Sequence, residues 1–89
     1  MTEIEILTEA IKVFGKNNQE EMTIEECAEL IQAICHKHRG RRHNIAEEIA
    51  DVEIMLEQLK IINDCTDEVA MIHAQKIERL YNRICDACF

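Results

Sequence analysis

The chain contains no proline and only two glycines, Gly15 and Gly40. Sandwiches and barrels need many turns, and Gly and Pro supply most of them. Aromatic residues are 3% of the chain, so strands would also lack their usual side chains. The chain therefore reads as all-α, punctuated by the two glycines and by Asn, Asp and Thr. Thr2 with Glu5 forms a capping box that opens a helix over 3–14, and Gly15 suits its C′ position. A second helix ends before Gly40. Its start has two candidate capping pairs, Asn18 with Glu21 and Thr23 with Glu26. Asn18 is preferred, because it frees Glu26 and puts Gln19 on the same face. A third helix opens at Asn44, with Glu47 at N3, and runs to about Ile62. Asn63 to Thr66 make the next break, and a fourth helix starts at about Asp67. Helices joined this closely pack as an antiparallel bundle, or as half of a larger one.

Eighty-nine residues make one domain, 1–89. A chain of that size buries only roughly 60–65% of its unfolded surface, so self-association is expected. Helix 1 carries apolar residues wide enough for two neighbours (Ile4, Ile6, Leu7, Ala10, Ile11, Val13, Phe14), and Ile54 and Ile61 lie off the main stripe of helix 3. The formal charge of −8 disfavours a duplex-binding surface, which needs a net basic face. No apolar run reaches the ~18 residues of a membrane span. The acidic start, Met1 to Glu5, lacks a signal peptide's basic region. Five cysteines, an odd number within helical patterns, point to free thiols and a reducing cytoplasm.

The chemistry rests on where carboxylates fall. On a helical wheel of about 100° per residue, Ile45, Ile49, Val52, Met55, Leu56, Leu59 and Ile62 form one stripe. Glu48 lies inside it and Asp51 at its edge. With 18 acids in the chain, three i,i+3 acid pairs are no more than chance supplies, so position carries the signal rather than spacing. A buried carboxylate costs several kcal/mol unless it is paired or metal-bound. On helix 2, Glu26 and Glu29 share a face with Gln19, Leu30, Ala33 and Lys37. The main apolar stripe there (Cys27, Ala28, Ile31, Ile34, Cys35) begins about a quarter turn away. Small Ala33 leaves room beside the acids.

No histidine has an acid three residues before it, which excludes the Glu-x-x-His pattern of di-iron bundles. An all-carboxylate set is hard and suits Mg²⁺ or Mn²⁺. Four negative charges match two divalent ions, and Mg²⁺ usually meets its site through a substrate's phosphates. The residues thus point to a bundle that binds Mg²⁺ and a polyphosphate, with a metal-activated water as nucleophile.

Glu26-Cys27-Ala28-Glu29-Leu30, followed after Glu29 by 18 residues and then Glu48-Ile49-Ala50-Asp51-Val52, resembles the MazG-like all-α nucleoside triphosphate pyrophosphohydrolases. Their hallmark is E-x-x-E, a spacer, then E-x-x-D. Gln19, the Glu25-Glu26 doublet and Lys76-x-x-Arg79-Leu80 are similar too, so the resemblance covers nearly the whole chain. It implies a four-helix bundle completed by homo-oligomerisation as a dimer or tetramer. It also implies Mg²⁺-dependent cleavage of a nucleoside triphosphate to the monophosphate and pyrophosphate. Glu26, Glu29, Glu48 and Asp51 become the metal ligands, and one of them, or Glu25 or Glu47, orients or deprotonates the attacking water. The chain has one such unit and no tandem copy.

Each remaining feature has two readings. Gln19, Lys37, Lys76 and Arg79 are candidate substrate contacts, or ordinary polar and solvated groups. His73 falls within the stripe of helix 4 (Val69, Ile77, Leu80, Ile84) and reads more readily as a core histidine than as a substrate contact. The segment His36 to His43 holds four of the ten Lys and Arg residues and three of the four His. It is either a solvated helix end or a basic flap over the triphosphate. Single-stranded nucleic acid is disfavoured there, because no aromatics are interleaved. Cys85 and Cys88 form a lone C-x-x-C, read as free thiols because no second pair completes a zinc set. Tyr81, Phe14 and Phe89 are the only aromatics that could stack on a base. Two rivals stand beside the pyrophosphohydrolase: a non-catalytic helical interaction module, and a hydrolase of another nucleotide phosphoanhydride.

Overall fold

The computed structural model describes residues 1–88, so Phe89 lies outside it. Its elements are α1 (Glu3–Phe14), α2 (Lys16–His38), α3 (Ile45–Ile62) and α4 (Thr66–Cys88), with no strand among the described residues. Helix α1 has the expected bounds. Thr2 Oγ1 accepts the Glu5 amide at 3.2 Å, and the Gly15 amide closes the other end on the Ile11 carbonyl at 2.9 Å.

Helix α2 begins earlier than the capping pattern suggests. Gly15 separates α1 from α2 alone, at φ 91°, a conformation that only glycine adopts without strain. Neither Asn18 nor Thr23 caps anything: both lie inside α2, and the buried Thr23 hydroxyl donates to the Gln19 carbonyl at 2.8 Å. Asn44 does precede α3, but its side chain does not cap the helix. His43 Nδ1 instead accepts the Ile45 amide at 3.4 Å.

Helices α2 and α3 form an antiparallel hairpin, which α1 closes on one side through Leu7 and Ile11. Across this interface Gln19 Nε2 donates to Gln58 Oε1 at 2.7 Å, and within α3 Gln58 Nε2 donates to Met55 Sδ at 3.8 Å. Both amides are buried and paired, which is the condition for placing polar groups in a core.

The apolar stripes of α2 and α4 do not form the core expected of them. Ile31 and Ile34 are exposed, as are Ala28 and Cys35, and the buried side chains of α2 are Gln19, Thr23 and Ala33. The face that meets α3 is thus the glutamate face. Helix α3 is turned in the same sense. Glu48, Val52, Met55 and Gln58 are buried, whereas Ile49 and Leu56, expected in the stripe, are each 44% exposed. Helix α4 touches only α3, and none of its described residues is buried. Val69, Ile77, Leu80, Ile84 and His73 are all exposed, so His73 is not a core histidine in this chain. Within one chain the helices form a three-helix unit with α4 projecting from it, rather than a closed four-helix bundle. The radius of gyration is 16.4 Å, against about 12 Å for a compact chain of this length.

Candidate metal centre

The α2–α3 hairpin brings Glu48 to the Glu26–Glu29 pair. Glu26 and Glu29 lie one turn apart on α2, and the antiparallel return places Glu48, in the first turns of α3, opposite them. Each offers a carboxylate oxygen, and those oxygens lie within 4.8 Å of one another. Glu48 is 7% exposed, Glu26 half-buried and Glu29 exposed. Asp51 is half-buried one turn beyond Glu48, outside that set of three but near enough for its charge to act on Glu26. Ala33 is 2% exposed and keeps the helices close.

The cluster carries negative charge that no side-chain cation among the described residues balances. Glu48 Oε1 accepts from Asn44 Nδ2 at 2.9 Å, while Glu48 Oε2 and Glu26 Oε2 are buried without any hydrogen-bond partner. An unpaired buried carboxylate oxygen is costly, and no Lys or Arg answers it: the salt bridge among the described residues joins Lys60 to Glu57 elsewhere. The N-terminal end of α3 offsets part of the charge on Glu47 and Glu48. The Glu26 carboxyl is raised to about 7. Burial is the largest cause, followed by the charges of Glu29 and Asp51, a hydrogen bond with Glu29, and the charge of Glu48. These features fit a hard divalent cation. The donors are all carboxylate oxygens, they converge, and two of the carboxylates keep an oxygen with no other partner.

Other residues singled out in the sequence sit elsewhere. Gln19 is buried, with its amide nitrogen committed to Gln58. Lys37 is exposed near the end of α2, and Lys76 and Arg79 are exposed on α4, which does not contact α2. His73 borders an open apolar cleft of about 770 Å³ between α1, α3 and α4, lined also by Leu7, Ile54 and Leu59. Cys27, Cys35, Cys65, Cys85 and Cys88 are free thiols, and no described helix is long and apolar enough to cross a membrane.

Two polar residues of the α2–α3 hairpin are not marked by sequence pattern. Asn44 has the position of a helix cap, yet its amide holds Glu48. Gln58 lies outside the apolar stripe, and nothing local marks it as the partner of Gln19.

Compared with family models, curated proteins and solved structures, the chain matches none of them.

Proposed function

We propose that this protein is a Mg²⁺-dependent nucleoside triphosphate pyrophosphohydrolase that cleaves between the α- and β-phosphates. The observation that carries the reading is the convergence of Glu26, Glu29 and Glu48 with two buried, partnerless carboxylate oxygens. Buried anions of this kind are retained where a cation is bound. When bound there, divalent ions polarise phosphate oxygens and lower the pKa of water. Glu26, Glu29 and Glu48 hold the cation set, and Asp51 completes it. Asn44 fixes the Glu48 carboxylate so that its free oxygen stays aimed at the site. Glu26 gives up its proton on loading. One of these acids, or the exposed Glu25 or Glu47 beside them, orients the attacking water and takes its proton. The free thiols suit a cytoplasmic setting.

Incubation with a panel of nucleotides and Mg²⁺, with the phosphorus products identified, tests the reading. Monophosphate and pyrophosphate are expected from a triphosphate. Orthophosphate as first product, or turnover restricted to diphosphate derivatives, favours the other phosphoanhydride hydrolase.

The working form is a homo-oligomer, dimer or tetramer. Exposed Ile24, Ala28, Ile31 and Cys35 follow one another at four-, three- and four-residue steps, the spacing of a helix-pairing seam. Helix α4 likewise leaves Ile77, Leu80 and Ile84 uncovered. Light scattering at micromolar concentration is expected to give a multiple of the 10.4 kDa chain mass. Ile31→Glu, which places a charge in the seam, is expected to shift that mass toward the 10.4 kDa of one chain, with an association constant lowered at least tenfold. An active monomer contradicts the oligomer.

A further inference from the structure

The connection between α2 and α3 carries charge that the proposed chemistry needs and the acid pairs do not supply. Two divalent ions balance Glu26, Glu29, Glu48 and Asp51, and leave the charge of a polyphosphate tail uncompensated. Lys76 and Arg79 lie on α4, away from α2 within the chain. The cations nearest the cluster along the chain are Arg42, Arg41 and Lys37, all exposed. None of them forms an ion pair among the described residues, although the chain has 18 acids. Gly40, at φ 67°, turns the chain, and the Arg41 amide returns to the His36 carbonyl at 2.9 Å. The segment then runs into Asn44, whose amide is bonded to Glu48 at 2.9 Å. Arg42 is thus two residues from a side chain that touches the acidic cluster, a backbone span of at most about 7 Å.

We propose that Arg41 and Arg42 bind the terminal phosphates of a polyphosphate whose inner part is held at the Glu26–Glu29–Glu48 cluster. The guanidinium fork matches phosphate oxygens in a bidentate way, and the connection closes over the tail from the α3 side. The proposal rests on the hydrolase reading for the identity of its ligand, but the phosphate site is testable without turnover.

The probe is inorganic tripolyphosphate with Mg²⁺, titrated calorimetrically into the full chain at fixed ionic strength, after Mg²⁺ alone. Arg41→Gln/Arg42→Gln is expected to keep its helix content and its Mg²⁺ binding, and to lose tenfold or more in tripolyphosphate affinity. Arg41→Lys/Arg42→Lys is expected to recover part of that loss. A wild type that binds tripolyphosphate through the pair yet hydrolyses no nucleotide upholds the phosphate site and removes only the hydrolase reading. Equal tripolyphosphate affinity in wild type and the Gln double variant overturns the proposal. So does Mg²⁺-independent binding of a single-stranded oligonucleotide that the double variant abolishes.

Discussion

Glu48→Gln is expected to lower nucleoside triphosphate turnover by about three orders of magnitude or more, a barrier increase of about 4 kcal/mol, with helix content unchanged. Glu48 is the most buried of the clustered acids, and one of its oxygens has no partner in the protein. The amide keeps the shape and still accepts from Asn44, so packing survives while the anionic oxygen proposed as a ligand is lost. Asp51→Asn is expected to act in the same direction. Steady-state rates at saturating Mg²⁺, with circular dichroism for the fold, check both. Turnover near wild type in Glu48→Gln would remove the metal-site assignment.

The second large effect is on stability as a function of pH. The Glu26 carboxyl titrates near 7 in the folded chain against an ordinary value of 4.5. Between those values the folded state holds more protons than the unfolded state, so stability falls as pH rises. The favourable contribution is complete below 4.5, declines through the interval, and is gone above about 7. Metal-free wild type is therefore expected to melt lower at pH 7.5 than at pH 5. Glu26→Gln is expected to lack this component, with a difference between the two profiles on the order of 5 °C for a domain of this size. If Glu26 is a ligand as proposed, Mg²⁺ affinity should rise with pH up to about 7, because loading would displace the Glu26 proton. Parallel melting profiles for wild type and Glu26→Gln would show that Glu26 is not held in this way.

The parts of the fold set by local chemistry are legible in the amino-acid sequence. Thr2, Glu5 and Gly15 bound α1 through interactions within one turn, and the composition leaves no route to a sheet. The convergence of Glu48 with Glu26 and Glu29 is legible too, since Glu48 on a helical stripe needs a partner and the antiparallel return provides one, whereas Asp51 stays outside that set. Which faces of α2 and α4 turn inward is not. Both helices are amphipathic, and an apolar stripe marks a face to be covered without saying by what. In α2 the stripe of Ile31 and Ile34 is the outer one, and the polar face of Gln19, Thr23 and Glu26 is inner. Its polar groups are tolerable there because Gln19 meets Gln58 and the Thr23 hydroxyl returns to its own helix. The Gln19 to Gln58 pair spans 39 positions, so only tertiary structure reveals it. The role of Asn44 is hidden for a related reason. A residue just before a helix is usually judged by the backbone amides it can cap, whereas this side chain turns to a carboxylate one turn on.

The most direct test of the account is a pair of thermal melts. Wild type and Glu48→Gln are compared at fixed ionic strength, with Mg²⁺ and with a monovalent salt control. On the proposed reading Mg²⁺ binds the folded site, and wild type should then gain about 2.7 kcal/mol at a hundredfold excess over the dissociation constant. Glu48→Gln should gain far less, and its metal-free form should be at least as stable as wild type, since an unpaired buried charge has been removed. Screening of exposed charges would give neither difference. An identical response to Mg²⁺ in the two proteins would contradict the account and leave the helical interaction module as the better reading.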